Sequence, residues 1–228
     1  MGEFITVVGL TQFLIDPLQN AARQAGSWWA SATASAGRLL ALLREGEPEA
    51  EPAPATEPRP ALSLIGGLRP GELVTVAADP RTADAVLAEL RAAHPHALVV
   101  PHASHLFSGS VRENVQLPGV HPARARDALA AAGCDELAAI LPGGLDGDVG
   151  EGGSALSGGQ RQRVSLARAL AQDAPVLVLH DPTTAVDAVT EAAIASRLRA
   201  VRGEHRTVVV SRSPAFAAVA DRVVEVGR

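Results

Sequence analysis

The sequence has no tyrosine, a single cysteine and a single methionine, and its only other aromatics are four phenylalanines and two tryptophans. The lone Cys134 excludes an internal disulfide and fits a reducing compartment. A basic excess is missing too: 20 Lys and Arg against 25 Asp and Glu leave a net charge of -5. That balance lacks the electrostatic footprint of a nucleic-acid binder. The apolar stretch Phe4–Ile15 covers 12 residues, whereas a membrane-spanning helix needs about 20. The opening MGEFITVVGL has no basic region of the kind that secretory signals carry. What remains is ordinary. The 228 residues are 47% hydrophobic and 20% charged, enough for one domain with a sizeable core, or one domain and an appendage.

Residues 3–44 read as helical, apolar first and then rich in alanine and leucine, with Pro17 permitting a kink. Trp28 and Trp29 suit a membrane interface or a packed partner helix equally well. Residues 45–60, EGEPEAEPAPATEPRP, hold five prolines and five glutamates and have little to bury, so they read as an extended linker. The pattern then changes. Apolar, β-branched runs at 73–78, 97–101, 175–180, 206–211 and 222–226 suit a parallel sheet covered on both faces. Helical stretches at 81–93, 122–132, 157–172, 187–201 and 213–219 alternate with them, which argues an α/β fold. Residues 102–156 contain no good strand and read as a helical insertion.

Four stretches carry chemistry. In LSGGQRQRVSLARAL, Leu156–Leu170, Ser157 can cap a helix and Gln160 can complete a capping box. Gly158 and Gly159 would let a phosphate approach a helix N-terminus closely. In VLVLHDPTTAVD, Val176–Asp187, a buried strand ends in His180 and Asp181. In GELVTVAADPRTADAV, Gly71–Val86, a strand runs into a helix with no glycine between Leu73 and Ala88. Asp79 puts negative charge at that turn, and Arg81 and Thr82 alone could imitate a phosphate-binding cation and hydroxyl. Without glycines a backbone nest for phosphate cannot form there. The last stretch, VPHASHLFSGSVRENV, Val100–Val115, contains His102 and His105. With His94 and His96 these histidines cluster in sequence, but no cysteine or carboxylate joins them at a metal-ligand spacing, so no metal site is expected. Cys134 has no base placed to activate it.

Leu156–Leu170 resembles the signature sequence of the ABC transporter family and the helix that follows it. Val176–Asp187 resembles the family's Walker B strand and D-loop. Val100–Val115 and the stretch from Asp148 resemble the exporter form of the domain, and VVVSRSPAFAAVADRVVEV resembles its switch strand. The resemblance implies an α/β, reduced ABC-type nucleotide-binding domain: a parallel sheet core with a helical subdomain, preceded by a long N-terminal helix. It implies three segments. Residues 1–44 are the end of the last transmembrane helix and its intracellular extension, and 45–61 are the linker. Residues 62–228 are the nucleotide-binding domain, with the helical subdomain at about 102–172.

Residue by residue, the match implies departures. His180 stands at the magnesium-linked aspartate, Asp181 at the catalytic glutamate, His102 at the Q-loop glutamine and Arg212 at the switch histidine, while Asp187 is the D-loop aspartate. The phosphate loop is absent, and so is the aromatic that stacks on adenine. Family members pair head to tail, each ATP lying between the phosphate loop of one chain and the signature of the other. The resemblance therefore implies the degenerate half of a heterodimer at the cytoplasmic face of the cell membrane. Ser157, Gly158, Gly159 and Gln160 would close over ATP and Mg2+ held mainly by an intact exporter half. A transmembrane domain would be the second partner, and nucleic acid would not be one. The alternatives are a truncated, non-functional remnant, a soluble regulatory module of ABC type, and an autonomous ABC ATPase. The last needs the phosphate loop that the sequence lacks.

Overall fold

The computed structural model describes residues 67–102 and 105–226. The expected N-terminal helix, with Pro17, Trp28 and Trp29, and the linker lie outside the described residues. Five strands form one sheet: β1 Leu73–Ala78, β2 Leu98–Val100, β3 Val176–His180, β4 Arg206–Val210 and β5 Arg222–Val226. Their order is β2-β3-β4-β1-β5 and every neighbouring pair is parallel. These are the five apolar runs of the sequence: β1 and β5 match their runs at both ends, and β2, β3 and β4 are one or two residues shorter.

A parallel sheet needs cover on both faces, and side-chain alternation along each strand supplies two cores. Val74 and Val76 of β1, Val178 of β3 and Val208 and Val210 of β4 point to one face. Helix α1, Pro80–Ala93, covers it with Ala83, Val86, Leu87 and Leu90, a stripe at helical spacing. Leu73, Leu177, Leu179 and Val209 point to the other face. There they meet Leu166 and Leu170 from α5, Gly158–Ala171, together with Ile194 and Leu198 from α6, Ala188–Val201, and Phe216 from α7, Pro214–Val219.

Between β2 and β3 the described chain is helical: α2 Val111–Val115, α3 Pro122–Ala131 and α4 Asp135–Ile140 lead into α5. Ser110 and Glu113 form a capping box on α2, and buried Asn114 donates to the carbonyls of Phe107 and Ser110. The second core joins these helices to the sheet through Val111, Val115, Leu129, Leu137 and Val164. Cys134 is buried among them, and burial pushes its thiol up to about 12, so it is inert. From Gly67 to β2 the described residues hold only β1 and α1. Among the described residues no helix is long and apolar enough to cross a membrane.

Candidate nucleotide site

Parallel α/β sheets bind ligands at the carboxyl ends of their strands. Five of the singled-out positions fall at that edge. Asp79 follows β1, His102 follows β2, His180 and Asp181 end β3, and Arg212 follows β4. The register fixes their neighbourhood: Ser211 N–H donates to Val76 and Asp181 N–H donates to Val210, so β1, β4 and β3 end side by side.

The β1–α1 turn is where phosphate would sit, and its donors are already taken. Asp79 is the N-cap of α1, and one of its carboxylate oxygens accepts from the N–H groups of Arg81 and Thr82, each at 3.0 Å. The Thr82 hydroxyl donates to the other oxygen at 2.9 Å. Pro80 at the first helical position has no N–H to offer. The Thr82 backbone N–H and hydroxyl, then the Arg81 N–H and the charge of Arg212, hold the Asp79 carboxyl below its ordinary value. A carboxylate of this chain thus occupies the anion position of its own helix. Both donors of Thr82 are thus committed to Asp79, and Arg81 is exposed with its backbone committed to the cap.

The β3 end holds no suitable magnesium cradle. His180 lies with Nε2 3.7 Å from the Asp181 carboxylate, and its ring is 5.9 Å from that of His102, tilted by 56°. Magnesium requires hard oxygen donors in near-octahedral array, and two imidazoles beside one carboxylate do not fit it. No group of three His, Cys, Asp or Glu residues stands ready for a metal among the described residues. Asp181 adopts a left-handed backbone with φ of 43°, a conformation that Asp tolerates better than most residues.

The signature stretch is built differently. Ser157 caps α5 through a reciprocal box: its Oγ accepts from Gln160 N–H at 3.3 Å, and its own N–H donates to Gln160 Oε1 at 2.8 Å. Ser157 and Gly158 are exposed. Gly159 has a second, internal role. A Cβ on it would stand 2.3 Å from the carbonyl oxygen of Ala185, so glycine is what lets α5 lie against the 183–187 turn. Asp187 caps α6 by accepting from Val189 and Thr190 N–H, and the Thr190 backbone and hydroxyl together lower its carboxyl. Ser157, Gly159, Gln160, Val186 and Asp187 line one small cleft of about 130 Å³.

Two residues that the sequence reading passed over hold these loops. Asn114 accepts from Phe107 N–H at 2.8 Å and returns a bond to the Phe107 carbonyl, fixing the loop after His105. Gln162 reaches from α5 to Thr184 and Ala185. A buried polar residue inside an otherwise apolar helix face was the available signal for both.

A parallel sheet with its polar residues at the strand ends, together with an exposed, capped Gly-Gly helix start, marks the class of nucleotide-binding α/β domains. Residues 62–184 match the ABC transporter family. The mycobactin import ATP-binding/permease protein IrtB of Mycobacterium tuberculosis is 42% identical over 168 residues, covering 72% of this chain and 28% of its own length. The ATP-dependent lipid A-core flippase of Cupriavidus metallidurans is 40% identical over 125 residues, 52% of this chain and 21% of that protein. The structure of a bacterial Atm1-family ABC exporter with ATP bound superposes with a TM-score of 0.61 at 26% identity, over 70% of this chain and 34% of that chain. The chain belongs to the ABC transporter family and carries an ATP-binding domain of the exporter type. It spans about 28% of the length of the curated relative from Mycobacterium tuberculosis.

Proposed function

We propose that this chain is the catalytically degenerate half of a heterodimeric ABC transporter of exporter architecture. Its signature would complete the ATP site of an intact partner. The observation that carries this reading is the contrast between its two helix N-termini. Asp79 fills the anion position at α1, while Ser157 and Gly158 at α5 stay exposed and capped. Phosphoryl transfer depends on positioned donors around the γ-phosphate. The edge formed by Asp79, His102, His180, Asp181 and Arg212 supplies too few. Asp181 is one methylene shorter than glutamate and holds an attacking water less well, and the permanently charged Arg212 is no neutral relay. ATP and Mg2+ are then held mainly by the partner, and Ser157, Gly158, Gly159 and Gln160 close over them. The pair works at the cytoplasmic face of the cell membrane, joined to a transmembrane domain. Exporter here names the architecture. One relative is a mycobactin import protein and another a lipid A-core flippase, so the architecture alone fixes neither direction nor cargo.

The test is a reconstituted pair with an intact ABC half, comparing Ser157→Arg with His180→Ala. Ser157→Arg puts a bulky cation where the γ-phosphate docks and removes a cap worth about 1 kcal/mol. That cost is small beside a domain stability of roughly 5–15 kcal/mol, so circular dichroism should stay native. Hydrolysis by the pair should fall to background with Ser157→Arg and change little with His180→Ala. The reverse pattern means the two sites are assigned backwards. If neither matters, the chain is a remnant or a regulatory module.

A further inference from the structure

Gln162 lies in the second turn of α5, nine-tenths buried, and both of its polar atoms bond to a segment more than 20 residues away. Its Oε1 accepts from Ala185 N–H at 2.9 Å and its Nε2 donates to Thr184 Oγ1 at 2.9 Å. The backbone N–H of Ala185 can only donate, so it fixes which end of the amide faces which partner. One turn earlier, Gly159 brings the helix against the Ala185 carbonyl. The turn is closed on itself by Val186 N–H to the Thr183 carbonyl, and Thr183 Oγ1 is tied to Glu191 of α6 at 2.5 Å. Asp187 follows directly and shares the cleft with Ser157.

We infer that Gln162 is a positioning residue: it locks the 183–187 turn to the signature helix, so that Asp187 and Ser157 move as one body. The inference deepens the degenerate-half reading and rests on it for its effect on a partner. Ser157 and Gln160 cap each other without Gln162, so ATP docking at the signature does not depend on it. What depends on it is the placement of Asp187 beside that signature. Thr184 and Ala185 are exposed, so water can replace both bonds when Gln162 is changed. The fold therefore survives the loss, and only the geometry of the turn is given up.

The test uses the full chain with Gln162→Met, which keeps the length and removes both bonds, and Gln162→Glu as the conservative partner. In Glu the carboxylate still accepts from Ala185 N–H, and the Thr184 hydroxyl turns to donate to it. Amide exchange in 183–187 should quicken about tenfold in Gln162→Met and return close to wild type in Gln162→Glu, while the melting midpoint of both stays within about 3 °C. In the reconstituted pair, Gln162→Met should lower kcat about tenfold and leave KM for ATP within about twofold, the signature of a lost transition-state alignment. Unchanged exchange in Gln162→Met overturns the lock, as does equally fast exchange in the Glu variant. If Ser157→Arg abolishes hydrolysis but Gln162→Met leaves kcat at wild type, the positioning claim fails. If exchange quickens and neither variant alters hydrolysis, the lock stands and the degenerate-half reading falls.

Discussion

At the scale of the residue, two charged groups do structural work that their chemistry predicts. Asp79 is ionised and capping, and its carboxyl is held low by the Thr82 backbone and hydroxyl first. A depressed carboxyl contributes stability above its unfolded value of 3.8 and loses it as pH falls through the lower folded value. Asp79→Ala should therefore lower the urea midpoint at pH 7, and the gap to wild type should close as pH drops below that range. A gap that persists unchanged at the lowest pH at which the chain still folds would mean that the charge is not what caps α1. Arg202 is the other case. It is 2% exposed, its Nε donates to Thr207 Oγ1 at 3.1 Å, and one terminal nitrogen donates to the carbonyls of Ala174 and Arg206. Burial lowers its guanidinium to about 10, with the charge of Arg124 as the lesser cause. Hydrogen bonds to a charged group are worth about 1.5–3 kcal/mol each. Arg202→Ala should cost about 3 kcal/mol or more in urea unfolding, because it strips three acceptors where β3 and β4 begin.

At the scale of the element, Gly158 and Gly159 separate two roles that sequence alone merges. Both look like room for a phosphate, yet only Gly159 is closed off by the Ala185 carbonyl, while a Cβ on Gly158 would meet Ala185 Cβ at an ordinary 3.5 Å. Gly159→Ala should therefore destabilise the isolated chain by about 1–3 kcal/mol, the usual range for overpacking, and Gly158→Ala should stay within about 0.5 kcal/mol. Equal thermal midpoints for the two variants would remove the packing role of Gly159. The sheet itself was legible in the sequence, because strands covered on both faces must be nearly continuous apolar runs. So was the Ser157–Gln160 box, whose partners sit three residues apart. For Gln162 only a polar residue within a helix was legible, not its partners. Its partners lie beyond Asp173, and no local pattern announces which turn a buried amide will meet. The self-capping of Asp79 was half legible: the sequence placed a negative charge at the turn, and only the structure shows that charge consuming the donors of its own helix.

At the scale of the whole molecule, Asp79, His102, His180, Asp181 and Arg212 share the carboxyl end of one sheet, so on the proposed reading their departures from the family pattern act together. Their proximity makes a repair experiment informative. On the proposed reading, His180→Asp with Asp181→Glu would give the β3 end the hard oxygen donor and the longer carboxylate that its resemblance to the family calls for. Nothing in that repair touches the β1–α1 turn, where Asp79 holds the Arg81 and Thr82 donors and Pro80 offers none. An incoming γ-phosphate would meet a carboxylate instead of a nest of N–H groups, and like charges repel at that distance. A single missing donor of this kind costs an enzyme roughly a hundredfold to a thousandfold in kcat, and on the proposed reading the donors of the whole turn are lost. The repaired chain alone should therefore release phosphate from ATP at the background rate. Calorimetry should find its affinity for Mg-ATP weaker than about 1 mM, which corresponds to only about 4 kcal/mol of binding. Magnesium-dependent turnover above background in the repaired chain would place a working nucleotide cradle outside residues 79–82. In that event the chain would have to be read as an ATPase damaged at one strand end rather than as the half that completes another chain's site.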